Sequence, residues 1–328
     1  MNIRNWGLVL ILLLGGAPAA LAQDALYAPA AEGQRLLNGS YVVDFAGRGG
    51  VANWVAYELR ASELTGGAER RNDFHRDGRA AGSPSATAYR GSGYDRGHLK
   101  PAADSKSSTG EMSRSFLMTN MAPQTPALNR GLWKSLEGNV RSWATTYGAV
   151  HVCTGPTDES LGQLDSGVRV PMGYWKAVLR LGSDTSVVAF ILPNQMTLGG
   201  GILDYIISVD ALEVKLDMDL FPALPDAVEA RIEAGSNEEN WTISKGSTFA
   251  YSAPQCKGQT LKRVQCKNHT KNENGYCSVH QSQSDVPTQQ TSGSSGSTQC
   301  TGVARSTGNR CRKITRDPSG RCHHHRDQ

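Results

Sequence analysis

Apolar residues in this chain fall mostly in short runs separated by Gly, Asn and Asp, a rhythm that predicts strands joined by turns. Val51 to Leu59, Val150 to Gly155, Trp175 to Leu181 and Val187 to Leu192 are rich in β-branched and aromatic residues and read as strands. One stretch keeps a different period. Leu128, Leu132, Leu136 and Val140 recur every four residues, which predicts a single helix from Leu128 to Ala144 with one buried stripe. Asn129, Trp133, Glu137 and Arg141 occupy the neighbouring stripe, where polar side chains are available for chemistry. A further helix is expected at about Leu224 to Ala234, and residues 23–250 together read as an α+β body.

The two ends of the chain depart from this rhythm. Arg4, the apolar run Leu8 to Leu14 and the small-x-small pattern Ala20-Leu21-Ala22 compose a secretory signal over residues 1–22, so an exported protein beginning near Gln23, periplasmic or extracellular, is expected. That apolar run is far shorter than the roughly 20 residues a membrane span requires.

Charge divides the 328 residues at a second point. Of 34 Lys and Arg and 30 Asp and Glu, 12 basic and 4 acidic residues lie from Cys256 onward, so the tail carries +8 while residues 23–255 carry −5. A basic appendage on an acidic body suits a polyanion such as nucleic acid, although a purely solubilising tail would have the same composition.

Six of the seven cysteines lie in that tail as an internal repeat: Cys256, Cys266, Cys277 with His280, then Cys300, Cys311, Cys322 with His325. Residues 256–280 and 299–328 are read as two small modules joined by a Ser-, Gln- and Thr-rich linker, 281–298. Three thiols and an imidazole compose a closed tetrahedral Zn2+ set, and an odd number of thiols cannot all be used by disulfides inside one repeat. Disulfides between the repeats, favoured by export, and reduced thiols are the alternatives to two structural Zn2+ ions.

Candidate chemistry concentrates in fewer than 50 residues. Tyr94-Asp95-Arg96-Gly97-His98 alone would be an ordinary turn with an Asp–Arg ion pair. It is followed by Met118-Thr119-Asn120-Met121-Ala122-Pro123-Gln124, by Leu128-Asn129-Arg130-Gly131-Leu132-Trp133, and by Glu137 and Arg141. With Asn53-Trp54-Val55-Ala56-Tyr57, Ala68-Glu69-Arg70-Arg71-Asn72-Asp73-Phe74, Val170-Pro171 and Tyr174-Trp175-Lys176, these ordered motifs resemble the secreted DNA/RNA non-specific endonucleases, the Serratia-type nucleases of the ββα-metal group, over about residues 27 to 235.

The resemblance implies a mixed or antiparallel central sheet flanked by helices, and hydrolysis of DNA and RNA that leaves 5′-phosphate and 3′-hydroxyl ends. It implies His98 as general base in a solvent-facing cleft and Asn129 as the direct protein ligand of Mg2+, with Mn2+ as a substitute. Glu137 is placed near metal-bound waters, Arg96 and Asn120 as site-shaping residues, and Arg141 as a phosphate ligand. Arg70 matches the family's other phosphate arginine, with Arg71 the alternative one position on.

Elementary chemistry agrees with these roles. A neutral imidazole can take a proton from water, and arginine grips two phosphate oxygens while remaining charged. Mg2+ keeps several waters and needs few protein ligands. Nothing in the set reads a base edge, so broad substrate range is the expectation. A non-catalytic nucleic-acid or matrix-binding protein and a phosphodiesterase for small esters are the competing readings.

Overall fold

The computed structural model describes residues 27–244 and, beyond them, residues 254–259, 263–266, 270, 272, 274–277, 280, 283, 298–299, 301 and 314–315. The expected export signal, most of the linker, and Cys300, Cys311, Cys322 and His325 lie outside the described residues. The chain divides into two units, Met1–Gln281 and Ser282–Gln328.

Strands in the first unit are β1 (Gln34–Leu37), β2 (Val42–Phe45), β3 (Trp54–Arg60), β4 (Asp95–His98), β5 (Met121–Gln124), β6 (Ala149–Pro156), β7 (Ser160–Gln163), β8 (Arg169–Pro171), β9 (Gly173–Arg180), β10 (Ser186–Pro193) and β11 (Ile206–Ile207). Helices are α1 (Thr109–Arg114), α2 (Pro126–Arg130), α3 (Leu132–Tyr147), α4 (Val209–Leu216) and α5 (Asp226–Ile232). In the second unit, β12 (Thr298–Gln299) pairs antiparallel with β13 (Ile314–Thr315).

Among the described residues, seven strands form one sheet in the order β1-β2-β3-β6-β9-β10-β11, every neighbouring pair antiparallel. Alternation along these strands sends residues to two separate cores. Tyr57, Leu59, Val152, Tyr174, Val178 and Phe190 pack with Leu132, Leu136, Val140 and Trp143 of α3 on one face. Trp54, Ala56, Cys153, Trp175, Ala177, Leu179 and Val187 pack with Val209, Leu212 and Leu216 of α4 on the other. Each large side chain removed from water contributes roughly 1.5–3 kcal/mol, so both faces of the sheet require a cover and both receive one. The lone thiol of the body, Cys153, is fully buried, and that burial pushes its pKa far above the ordinary thiol range.

The four strands predicted from composition coincide with β3, β6, β9 and β10, and α5 lies inside the predicted 224–234 helix. The Leu128–Ala144 helix is corrected: Gly131, at φ −105° and ψ −112°, leaves helical geometry and splits it into α2 and α3. The stripe survives the break, because Leu128, Leu132, Leu136 and Val140 are all buried.

Candidate active site

Two short elements position the chemistry. β4 and β5 form an antiparallel ribbon with His98 opposite Met121 and Gly97 opposite Ala122. Gly97 is required there, since a Cβ on it would land on the side chain of Gln124. After β5, Thr125 starts α2: its hydroxyl accepts from the Leu128 N–H at 3.3 Å and donates to the Gln195 carbonyl at 2.7 Å, while Pro126 takes the first helical position. Trp133 of α3 then donates its indole N–H to the His98 carbonyl at 3.3 Å, tying ribbon to helix.

A cleft of about 790 Å³ opens between them, lined by Arg70, Arg96, His98, Asn129, Arg130, Lys134, Glu137 and Arg141 among others. Five cations therefore face one carboxylate, although residues 23–255 are net negative. The positive groups of an acidic body are gathered where a phosphate backbone would lie.

His98 departs from the solvent-facing expectation. Its ring is only 7% exposed and sits beside Phe116 and Phe74, with centroids at 5.1 and 5.9 Å. Its Nε2 is enclosed without a hydrogen-bond partner. Burial first, then the Arg70 and Arg96 charges, push its pKa down to about 3, so the imidazole is neutral throughout the neutral range. Arg96 is itself fixed, with its guanidinium 4.1 Å from the Phe74 ring centre and a 2.9 Å bond to the Ala86 carbonyl.

Asn129 is oriented by a residue the sequence left in another role. Asp95 accepts from Asn129 Nδ2 at 2.8 Å and receives both Arg130 Nε and Nη2, at 2.8 and 2.7 Å. Asp95 thus makes a two-pronged pair with Arg130. A carboxylate only accepts, so the amide nitrogen must face Asp95, which leaves the amide oxygen for the cleft.

Glu137 and Arg141 project from successive turns of α3. Asp104, fully buried, accepts from Arg141 Nη1 at 3.0 Å and from the Tyr57 hydroxyl at 3.2 Å. Burial pushes the Asp104 carboxyl up, and Arg141 pulls it back. Half-buried Glu137 is raised well above the usual carboxylate range by burial and by Asp104, with Lys176, Arg141 and Arg70 opposing. Lys176 lies beneath α3 on β9, its ammonium 4.8 Å from the Trp133 ring centre, and burial lowers its pKa against the pull of Glu137 and Asp104.

Arg70 lines the cleft, donates to Asn72 Oδ1 at 2.8 Å and lies over Phe116 at 5.1 Å; the cleft lining does not include Arg71. Asn120 is the remaining residue of the expected set. Fully buried and outside the cleft lining, it accepts from the Lys100 N–H at 2.9 Å and donates to the Lys100 and Ser115 carbonyls at 2.9 and 2.8 Å. It braces the chain just after His98. Asp95, Asp104 and Lys176 are the supporting residues that sequence reasoning missed; Asp95 and Lys176 stood inside quoted motifs, while Asp104 carried no signal.

Fold and cleft together are those of a metal-dependent nuclease of the ββα group. The chain belongs to the DNA/RNA non-specific endonuclease family, whose model matches residues 25–227. A nuclease from Nostoc sp. is 36% identical over 215 residues, covering 61% of this chain and 77% of that protein. Mitochondrial endonuclease G of Bos taurus is 35% identical over 197 residues, covering 55% of this chain and 65% of its own. A chain in a crystal structure of the EndoG/EndoGI complex superposes with a TM-score of 0.59 at 25% identity, over 64% of this chain and 95% of that one. The Cys/His tail lies beyond the family match.

Proposed function

We propose that this chain is an exported, Mg2+-dependent endonuclease that hydrolyses phosphodiester bonds of DNA and RNA without reading sequence. The observation that supports it most is the presence, in one cationic cleft, of a neutral imidazole and an amide oxygen pointed away from its own anchor. His98 takes a proton from a water molecule as that water attacks phosphorus. With Nε2 enclosed, Nδ1 is the nitrogen that accepts it. The P–O3′ bond breaks, the 3′ oxygen takes up a proton from solvent, and the products end in 5′-phosphate and 3′-hydroxyl.

Arg70 and Arg141 hold the phosphate oxygens and stabilise the charge that grows on them. Arg96 supports the ring of Phe74 and keeps His98 neutral. The Asn129 amide oxygen, and Glu137 through water, suit a hard divalent cation: Mg2+, or Mn2+ in its place, would supply polarisation of a phosphate oxygen and stabilisation of the leaving oxygen. Export rests on residues 1–22, and the +8 tail is assigned to retention of long nucleic acids at the surface.

Incubation of the purified protein with plasmid DNA and with RNA, with Mg2+ or with EDTA, tests this reading. Degradation of both polymers only with metal is the expected result. Cleavage confined to small phosphate esters would overturn it.

A further inference from the structure

The family match ends before the tail, yet the tail's first Cys/His set is brought together in space. The ligand atoms of Cys256, Cys266, Cys277 and His280 all lie within 4.8 Å of one another. Cys256 Sγ and Cys277 Sγ stand 3.5 and 3.3 Å from His280 Nδ1, and Cys266 Sγ stands 3.9 Å from Cys277 Sγ. Zinc bonds of about 2.3 Å to sulfur and 2.0–2.1 Å to nitrogen at tetrahedral angles require edges of about 3.8 Å between sulfurs and about 3.5 Å between sulfur and nitrogen. These three edges match such a tetrahedron, and the remaining ones stay within 4.8 Å. None of the three thiols is joined in a disulfide.

The surrounding backbone is built for the same purpose. The N–H groups of Gly258 and Cys277 donate to Cys256 Sγ at 3.3 and 3.1 Å, the arrangement that stabilises a thiolate. A Cβ on Gly258 would come within 2.5 Å of His280, so only glycine lets the chain approach the imidazole, and Gly275 turns the chain at φ +77°. Packing supplies the last argument. Cys256, Cys266 and Cys277 form a buried cluster by themselves, and His280 is buried beside them. Burying three thiols and an imidazole stabilises little unless something binds them.

We infer that Cys256, Cys266, Cys277 and His280 form a closed structural Zn2+ site, held by three sulfurs and His280 Nδ1. With every position taken by protein, the ion has no place for water or substrate, so its role is to fold the module and not to catalyse. The site is separate from the cleft and takes a softer ion than the oxygen set there would prefer. The second copy of the repeat, Cys300, Cys311, Cys322 and His325, lies outside the described residues.

Elemental analysis of the full-length protein, dialysed against metal-free buffer, should find at least one equivalent of zinc. Cys256→Ser should lower that figure by one while cleavage of short oligonucleotides in Mg2+ is unchanged, and His280→Cys should retain it. After denaturation in EDTA, Cys256, Cys266 and Cys277 should all be alkylated by iodoacetamide without prior reduction. A zinc-free wild-type protein, a zinc content indifferent to Cys256→Ser, or recovery of these cysteines in disulfide-linked peptides would each overturn the inference.

Discussion

The carboxylate of Asp95 receives the side-chain amide of Asn129 at 2.8 Å, and this bond decides which end of the amide the cleft meets. Asp95→Asn removes the constraint, because an amide can donate or accept. The Mg2+ concentration needed for half-maximal cleavage should rise by roughly 10- to 100-fold, the usual cost of losing a residue that orients a metal ligand. An unchanged metal titration would show that Asn129 does not depend on Asp95.

His98→Ala should abolish cleavage and also destabilise the fold by about 1–3 kcal/mol, since the ring fills space beside Phe74 and Phe116. His98→Gln should be inactive with a smaller loss. Thermal melts beside plasmid assays separate the two effects; full activity in either variant would remove His98 as the base.

The depressed pKa of His98 also predicts a stability slope. Below about 6.5 the unfolded chain binds a proton on this residue, whereas the folded ring does not until about 3. Stability should therefore fall as pH drops through 6.5, by about 2 kcal/mol from this group between pH 7 and pH 5. Urea midpoints at the two pH values should show that difference narrowing in His98→Gln.

With His98 already neutral, the acid limb of the cleavage profile belongs to Glu137, whose raised carboxyl must ionise before it can serve a cation. Apparent Mg2+ affinity should weaken as pH falls, and the dependence should flatten in Glu137→Gln. Asp104→Asn removes a negative neighbour of Glu137, so the acid limb should move to lower pH while kcat falls through the loosened Arg141. A limb that stays in place would disconnect Asp104 from the site.

Arg70→Ala and Arg141→Ala should each lose roughly 2–4 kcal/mol of transition-state stabilisation, and lysine should restore only part of it. Arg71→Ala should be close to wild type. If Arg71→Ala alone is inactive, the loop carrying these residues places them differently in solution.

Deleting residues 256–328 should leave cleavage of short oligonucleotides intact while weakening affinity for long DNA, chiefly at low salt, as the +8 charge is lost. Binding isotherms at two salt concentrations measure this, and equal loss at both would assign the tail a non-electrostatic role.

Period and composition made the sheet legible, because β3, β6, β9 and β10 are buried on both faces and therefore run apolar. The cleft was legible where its residues share a helix face or a tight ribbon, as with His98, Asn129, Glu137 and Arg141. Partners brought together by folding were not. Asp104 meets Arg141 across 37 positions, Asp95 meets Arg130 across 35, and Lys176 lies in a mostly apolar strand whose pattern reads chiefly as core. How Asn120 is held was not legible either, because a buried amide bonded to backbone looks, in sequence, like any polar residue in a motif. Gly131 broke a helix whose stripe continued across the break, and periodicity does not register such an interruption.

Because the two cores lie on opposite faces of the sheet, the α4 layer never meets the cleft. Val214 on that helix is 85% exposed, and nothing on its side of the protein belongs to the catalytic arrangement. A single cysteine installed there would give an attachment point for tethering the enzyme to a bead or electrode with its mouth turned outward. The body's own thiol, Cys153, is sealed inside the sheet and would not compete for the linker.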